Sequence, residues 1–241
     1  MKVNELFRSI QGEGPSTGAP TVFVRFQGCN LRCSWCDTSY AQQEFEGDAD
    51  GEGAEMTVNA IVTTIRDFGY TPYVCLTGGE PLMQPAGEMK ELIDVLLESG
   101  YYVVVETNGS ISPPRELFVP YANLSFVVDW KLPSSGMSNE MLSTHFTNLS
   151  EKDVVKFVCA TEEDYEEAVR LMNGELHVCR ATFFFHAAYE KEELSFRIAG
   201  AIGVSRWLTE KLLSDERVRQ LPWRVGVQLH KLVWEPSTRG V

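Results

Sequence analysis

The sequence predicts an α/β fold: a barrel or partial barrel of mostly parallel strands covered by helices, built as a single domain over residues 1–241. Two observations carry this reading. Several segments are apolar on both faces, such as YYVVVET (101–107), LSFVVDW (124–130) and DVVKFVC (153–159), and strands of that kind belong to buried parallel sheets. They alternate with amphipathic helical segments, which are the crossovers that parallel neighbours need. A doubly wound open sheet fits the same alternation and is the competing arrangement.

The elements follow in order. Residues 21–27, TVFVRFQ, alternate as a first strand. The stretch 46–56, EGDADGEGAEM, is acidic and Gly-rich, hence a solvated loop. Thr57 is a suitable N-cap for a helix ending near Gly69. A short apolar strand, YVCLTGG, occupies 73–79, and 84–99 reads as a helix stopped by Gly100. After the three buried strands named above in their turn, Thr161 opens a helix over about 162–172, followed by strand-like 176–185. Residues 201–213 read as helix and RVGVQL (224–229) as a last strand. In either architecture ligands gather at the carboxyl ends of the strands. GCNLRC, TGGEP, ETNG and DWKLPSS follow the first four strands in turn, so one site should collect all four motifs.

Hydrophobic residues make up 44% of the chain and charged residues 23%, with a formal net charge of -13. Non-specific nucleic-acid affinity rests on Lys and Arg neutralising phosphates, so nucleic acid is an unexpected partner. The charged N-terminus lacks a secretion signal, and no apolar run approaches the ~20 residues of a membrane helix. We therefore expect a cytoplasmic protein with reduced thiols and no membrane partner. Cys75, Cys159 and Cys179 lie in apolar strand-like runs and read as small buried hydrophobes.

The other three cysteines, Cys29, Cys33 and Cys36, crowd into GCNLRCSWCDT. Structural zinc asks for four ligands, commonly in two pairs, and the four histidines are all remote in sequence. A redox pair Cys33–Cys36 leaves Cys29 idle. An iron–sulfur cubane fits better, because three thiolates hold three irons and leave the fourth open to a small molecule. Gly28 eases the exit of this loop from its strand, and Trp35 is placed to limit solvent access.

C-x3-C-x2-C with an aromatic before the last cysteine resembles the radical S-adenosylmethionine (SAM) superfamily. The resemblance implies a 4Fe-4S cluster on Cys29, Cys33 and Cys36, with SAM chelating the open iron. An electron from a donor such as a flavodoxin would then cleave SAM to a 5′-deoxyadenosyl radical. In that superfamily the TGGEP turn binds the methionine part of SAM, and Gly78 and Gly79, lacking a Cβ, would let the ligand approach the main chain. With SIQGEGPSTGAPTVFVRFQGCNLRCSWCDT, ETNG, DWKLPSS and the late VQLHK added, the chain is similar to the 7-carboxy-7-deazaguanine synthase family. That likeness implies conversion of 6-carboxy-5,6,7,8-tetrahydropterin to 7-carboxy-7-deazaguanine with loss of ammonia, on the route to queuosine and other 7-deazapurines. It also implies SAM regenerated after each turnover, magnesium, a homodimer and a reduced-size barrel.

The resemblance assigns roles residue by residue. Ile10, Gln11 and Gly12 would hold the pterin, together with Thr77 and, near the end, Pro236. Arg25, set among apolar neighbours in FVRFQ, needs a partner; the substrate carboxylate suits its fork, and a structural Glu is the competing partner. Thr38 offers a hard oxygen to magnesium, which keeps few protein ligands. Trp35, Asp37, Gly79, Glu106, Asn108, Asp129, Lys131 and His186 would face SAM, although Glu106, Thr107 and Asn108 could instead cap the turn they precede. Two departures stand out. The family often has Ser-Pro-Lys where this chain has Asp129, Trp130 and Lys131, and often Gln where it has His186. Two other functions remain. A radical SAM activase, placing a glycyl radical on a partner enzyme, shares the cysteine loop and GGE but has no pterin for QGEG and Arg25 to hold. A zinc- or cluster-stabilised structural module would be non-catalytic.

Overall fold

The computed structural model describes residues 1–42, 53–114, 117, 121–188, 194–234 and 238–240, with the side chains of 194–203 excepted. Its strands are β1 (Lys2–Ile10), β2 (Pro20–Phe26), β3 (Ala54–Glu55), β4 (Tyr73–Gly78), β5 (Tyr102–Thr107), β6 (Leu124–Trp130), β7 (Val154–Cys159), β8 (Thr182–Ala187) and β9 (Trp223–Gly226). The helices are α1 (Val58–Asp67), α2 (Ala86–Glu98), α3 (Glu162–Asn173), α4 (Leu194–Ser214) and the single turn α5 (His230–Val233).

All nine strands form one sheet in the order β3-β1-β2-β4-β5-β6-β7-β8-β9. From β2 to β9 every neighbouring pair is parallel. A doubly wound sheet reverses its strand order at a switch point. Apart from the two-residue β3, which pairs outside β1, the strands stand in chain order, so this sheet winds in one direction as a barrel does. β3 and β9 are its free edges, and the barrel is therefore partial.

The first strand read from the sequence is the second in the fold. Residues 2–10 form β1, antiparallel to β2. Charged Lys2, Glu5 and Arg8 interrupt its apolar pattern, and a register shift between Val3 and Glu5 breaks its alternation. Ile10, read as part of a turn, is the last residue of β1. Ala54 and Glu55, read as loop, pair with β1 as the short β3; the rest of the acidic loop, residues 43–52, and Pro236 lie outside the described residues. The strand read at 176–185 is Thr182–Ala187, because 174–180 turn back after α3, and Cys179 sits in that turn. The last strand stops at Gly226, and α4 begins earlier than its periodicity suggests.

Strand alternation explains the interior. On the outer face Val24 and Phe26, Val74 and Leu76, Val103 and Val105, Phe126 and Val128, Val155 and Phe157, and Phe183 and Phe185 pack under the helices in one core. On the inner face Phe7, Phe23, Cys75, Val104, Val127, Val154 and Phe184 make a second apolar cluster. Two residues further along each strand, on that same inner face, stand Arg25, Thr77, Glu106, Asp129, Lys156 and His186. The interior thus has an apolar floor and, toward the strands' carboxyl ends, a polar row.

Helix caps hold the loops at that end. Thr57 Oγ1 accepts the Ala60 amide at 3.2 Å, and Thr161 with Asp164 forms a capping box. Asp164 is fully buried; its Oδ1 accepts the Ser134 amide at 2.9 Å, and its Oδ2 accepts those of Ala160 (2.8 Å) and Thr161 (3.1 Å). It therefore fastens α3 to the loop after β6. Asp164→Ala strands three main-chain donors and should lower stability by about 3 kcal/mol. The check is the urea midpoint, and an unchanged midpoint would show that water takes over all three bonds.

Candidate active site

The four motif loops meet above the polar row and, with the N- and C-terminal segments, enclose a cavity of about 440 Å³. Of the described site residues singled out from the sequence, all except His186 line it. His186 stands behind this wall, buried, its ring stacked near Phe184; among the described residues neither nitrogen has a hydrogen-bond partner. Burial pulls its pKa down to about 4, so the ring is neutral. Gly226 is where β9 gives way to it: a Cβ there would run into the imidazole.

The cysteine loop leaves β2 through Gly28, at φ 95°. Its path is fixed by main-chain bonds: Gly28 N–H to Ala41 O (2.9 Å), Cys29 N–H to Gln42 O (3.3 Å) and Ser34 N–H to Ser135 O (3.1 Å). The thiols of Cys29, Cys33 and Cys36 are partly exposed and face one cavity. Burial pushes Cys29 and Cys33 up, while N–H donors from Leu31 (3.4 Å) and Asn108 (3.6 Å) to Cys29 Sγ act the other way. Among the described residues no three His, Cys, Asp or Glu converge enough to enclose a single metal ion. The three thiols line one cavity, and a thiol-only donor set is that of an iron–sulfur cluster.

The TGGEP turn corrects one expectation. The absent Cβ atoms make room for the chain's own backbone: one at Gly79 would strike the carbonyls of Gly28 and Ala41, and one at Gly78 the backbone of Phe26. Gly79 N–H bonds Phe26 O (2.9 Å) and Glu80 N–H bonds Gly28 O (2.8 Å), so turn and cysteine loop are packed as one piece. Glu80 is fully buried and accepts from the Leu82 amide (2.9 Å), the Thr107 hydroxyl (2.7 Å) and the Asn108 amide (2.6 Å). Burial pushes it up to about 7 against those donors. Thr107 is thereby committed to structure. Asn108 serves two ends, since its Oδ1 takes the Ser110 amide (2.9 Å) and its Nδ2 points to Cys29.

Arg25 has the structural partner that stood as the alternative: its Nε donates to Glu5 Oε1 at 2.7 Å, across the β1–β2 pair. Its guanidinium still lines the cavity. Glu106 accepts from Gln11 Nε2 (3.0 Å) and from the Thr77 hydroxyl (2.9 Å), and burial, then the nearby Glu13, pushes its carboxyl up. The Thr38 hydroxyl is not spent on a helix cap and lies 3.7 Å from Cys36 Sγ.

A belt of charges runs along the cavity, joining Asp37, Asp129 and Lys131 to Glu13, Lys156, Gln228 and Lys231, which sequence reasoning did not assign. Lys131 lies over the Trp35 ring (5.3 Å) and pairs with Asp129 (2.6 Å). Asp129 meets Lys156 (3.2 Å), and Lys156 meets Glu13 (2.8 Å). Glu13 accepts from Gln228, Gln228 from Lys231 (2.8 Å), and Lys231 pairs with Asp37 (2.6 Å), back in the cysteine loop. Burial opposes both charges of the central pair; even so, Lys156 keeps Glu13 well below the usual carboxylate range, and Asp129 and Glu13 keep Lys156 well above that of a free lysine. The signal was present in DVVKFVC, a lysine in an apolar strand, the same anomaly that marked Arg25.

Residues 23–127 match the Radical SAM superfamily. The 7-carboxy-7-deazaguanine synthase of Clostridium acetobutylicum is 36% identical over 243 residues, covering 100% of this chain and 99% of the relative. The chain belongs to the 7-carboxy-7-deazaguanine synthase family. Another member, from Methanospirillum hungatei, is 37% identical over 98% of this chain and 86% of its own. The crystal structure of QueE from Escherichia coli matches with a TM-score of 0.72 at 22% identity, over 95% of this chain and 94% of that one, which shows a common fold. Streptococcus suis SuiB shares it more distantly, with a TM-score of 0.54 over 83% of this chain and 46% of that one.

The fused turn and loop generate a prediction. Gly79→Ala drives a methyl into two backbone carbonyls, so the thiols should lose their arrangement. Iron per chain after anaerobic reconstitution should fall several-fold, and full loading would refute the packing argument.

Proposed function

We propose that this chain converts 6-carboxy-5,6,7,8-tetrahydropterin to 7-carboxy-7-deazaguanine with loss of ammonia. The observation that carries the reading is the joining, in one cavity, of three cluster-type thiols and a polar floor-side row built for a small polar heterocycle. The family's name favours this synthase over a glycyl-radical activase, and a cavity of about 440 Å³ has the size for a small molecule. Substrate and product differ by one ammonia, so the reaction consumes no net electron, which is consistent with SAM being regenerated.

The roles are those the resemblance implies, and position in the cavity supports them. Cys29, Cys33 and Cys36 hold the cluster, and Trp35, Lys131, Asp129, Glu106, Asn108 and Gly79 border SAM beside it. When bound, the cluster and SAM supply a one-electron cleavage that yields the 5′-deoxyadenosyl radical. Asp37, tied to Lys231, shapes the loop edge of that subsite. Gln11, Gly12 and Ile10 bring amide and backbone groups to the pterin, joined by Thr77. Arg25 presents a cation to the substrate carboxylate, with Glu5 fixing its orientation. Pro236 is retained as a substrate contact on resemblance alone. The Thr38 hydroxyl, which lines the cavity beside Cys36 Sγ, fits a magnesium ion that completes its shell with substrate and water. His186, neutral and set back from the wall, supports the site from behind. Among the described residues no helix is long and apolar enough to cross a membrane; a cytoplasmic homodimer served by a flavodoxin-like donor completes the proposal.

Anaerobic reconstitution with iron and sulfide, followed by SAM, reductant, magnesium and the carboxytetrahydropterin, should yield the deazapurine. Cleavage of SAM without that product would point to another substrate. Cys33→Ala should abolish cluster assembly and turnover together, and surviving turnover would remove the cluster assignment. Thr38→Ala should weaken the magnesium response with the cluster intact; an unaltered response takes Thr38 out of the metal site.

A further inference from the structure

We infer that Lys156 is a positioning residue that locks the pterin-facing loop to the SAM-facing strand, and so sets the register between the two ligands. The inference rests on the proposed synthase reaction. Lys156 sits in the polar row of β7, and its ammonium touches two carboxylates from different parts of the chain: Glu13 Oε2 at 2.8 Å and Asp129 Oδ1 at 3.2 Å. All three side chains keep only 13–16% exposure.

Each carboxylate leads to one ligand subsite. The Glu13 amide donates to Gln11 Oε1 (3.2 Å), and Gln11 Nε2 in turn donates to Glu106 (3.0 Å), so placing Glu13 places the amide proposed to read the pterin. On the other side Asp129 holds Lys131 at 2.6 Å, against the Trp35 ring of the cysteine loop. Without the ammonium, Asp129 keeps only Lys131 and Glu13 only the Gln228 amide, so the two carboxylates no longer share a cation. The loop and the strand then lose their common anchor. A radical reaction depends on holding its partners within near-attack distance, so this loss should appear in substrate affinity and in coupling.

The test uses the reconstituted full chain carrying Lys156→Met, which keeps length and removes charge, and Lys156→Arg, which keeps charge. Lys156→Met should load iron as the wild type does but raise the KM for the carboxytetrahydropterin by about tenfold or more. It should also release more 5′-deoxyadenosine per deazapurine formed, and Lys156→Arg should recover much of both losses. An unchanged KM and coupling ratio in Lys156→Met would overturn the inference. So would a parallel loss of iron and folding in both variants, since that describes packing alone. A wild type that makes no deazapurine sinks the synthase reading and this inference together; a wild type that does, beside an unaffected Lys156→Met, sinks the inference alone.

Discussion

The site depends on one geometric rule: side chains two apart on a strand share a face. With β2 and β4 to β8 parallel and in chain order, that rule lays the inward residues down in two rows. Phe23, Cys75, Val104, Val127, Val154 and Phe184 exclude water below, and Arg25, Thr77, Glu106, Asp129, Lys156 and His186 stand above them. The cysteine, glycine, Asn108 and Lys131 loops then begin where the upper row ends. The motifs converge because parallel strands all deliver their loops to one side, however far apart they lie in sequence.

A row of charges over an apolar floor has an electrostatic cost. A lone carboxylate or ammonium in such surroundings would shed its charge. Here the charges are held by alternation: Lys131, Asp129, Lys156 and Glu13 follow one another with opposite neighbours. Buried pairs of this kind add little net stability. What they fix is direction, since each ion is oriented by two partners on different elements. Glu106 is the exception, satisfied by neutral donors from Gln11 and Thr77 and pushed up by burial.

The sequence was most legible where one physical signal dominated. Buried strands such as VVVET and FVVDW announced themselves by apolar runs, and the caps at Thr57 and Thr161 lay where the residue types require. The one-way winding was favoured over a doubly wound sheet by length and alternation, and strand order decided it. β1 escaped because its charges hide a strand whose partner supplies the missing context. The spent hydroxyl of Thr107, the Glu5 bond of Arg25 and the retreat of His186 behind the wall are tertiary facts, invisible to spacing. Gly78 and Gly79 show the same limit: a glycine tells that something comes close, and only the fold shows that the protein's own backbone is part of it.

The main-chain bonds that Gly28, Cys29 and Ser34 donate to Ala41, Gln42 and Ser135 set the path of the cysteine loop without drawing on its thiols. The harness is therefore tailored before the cargo arrives. Losing the inorganic core to oxygen need not undo the surrounding architecture, and refilling becomes a docking event at a ready berth, reversible for as long as the three thiols stay reduced.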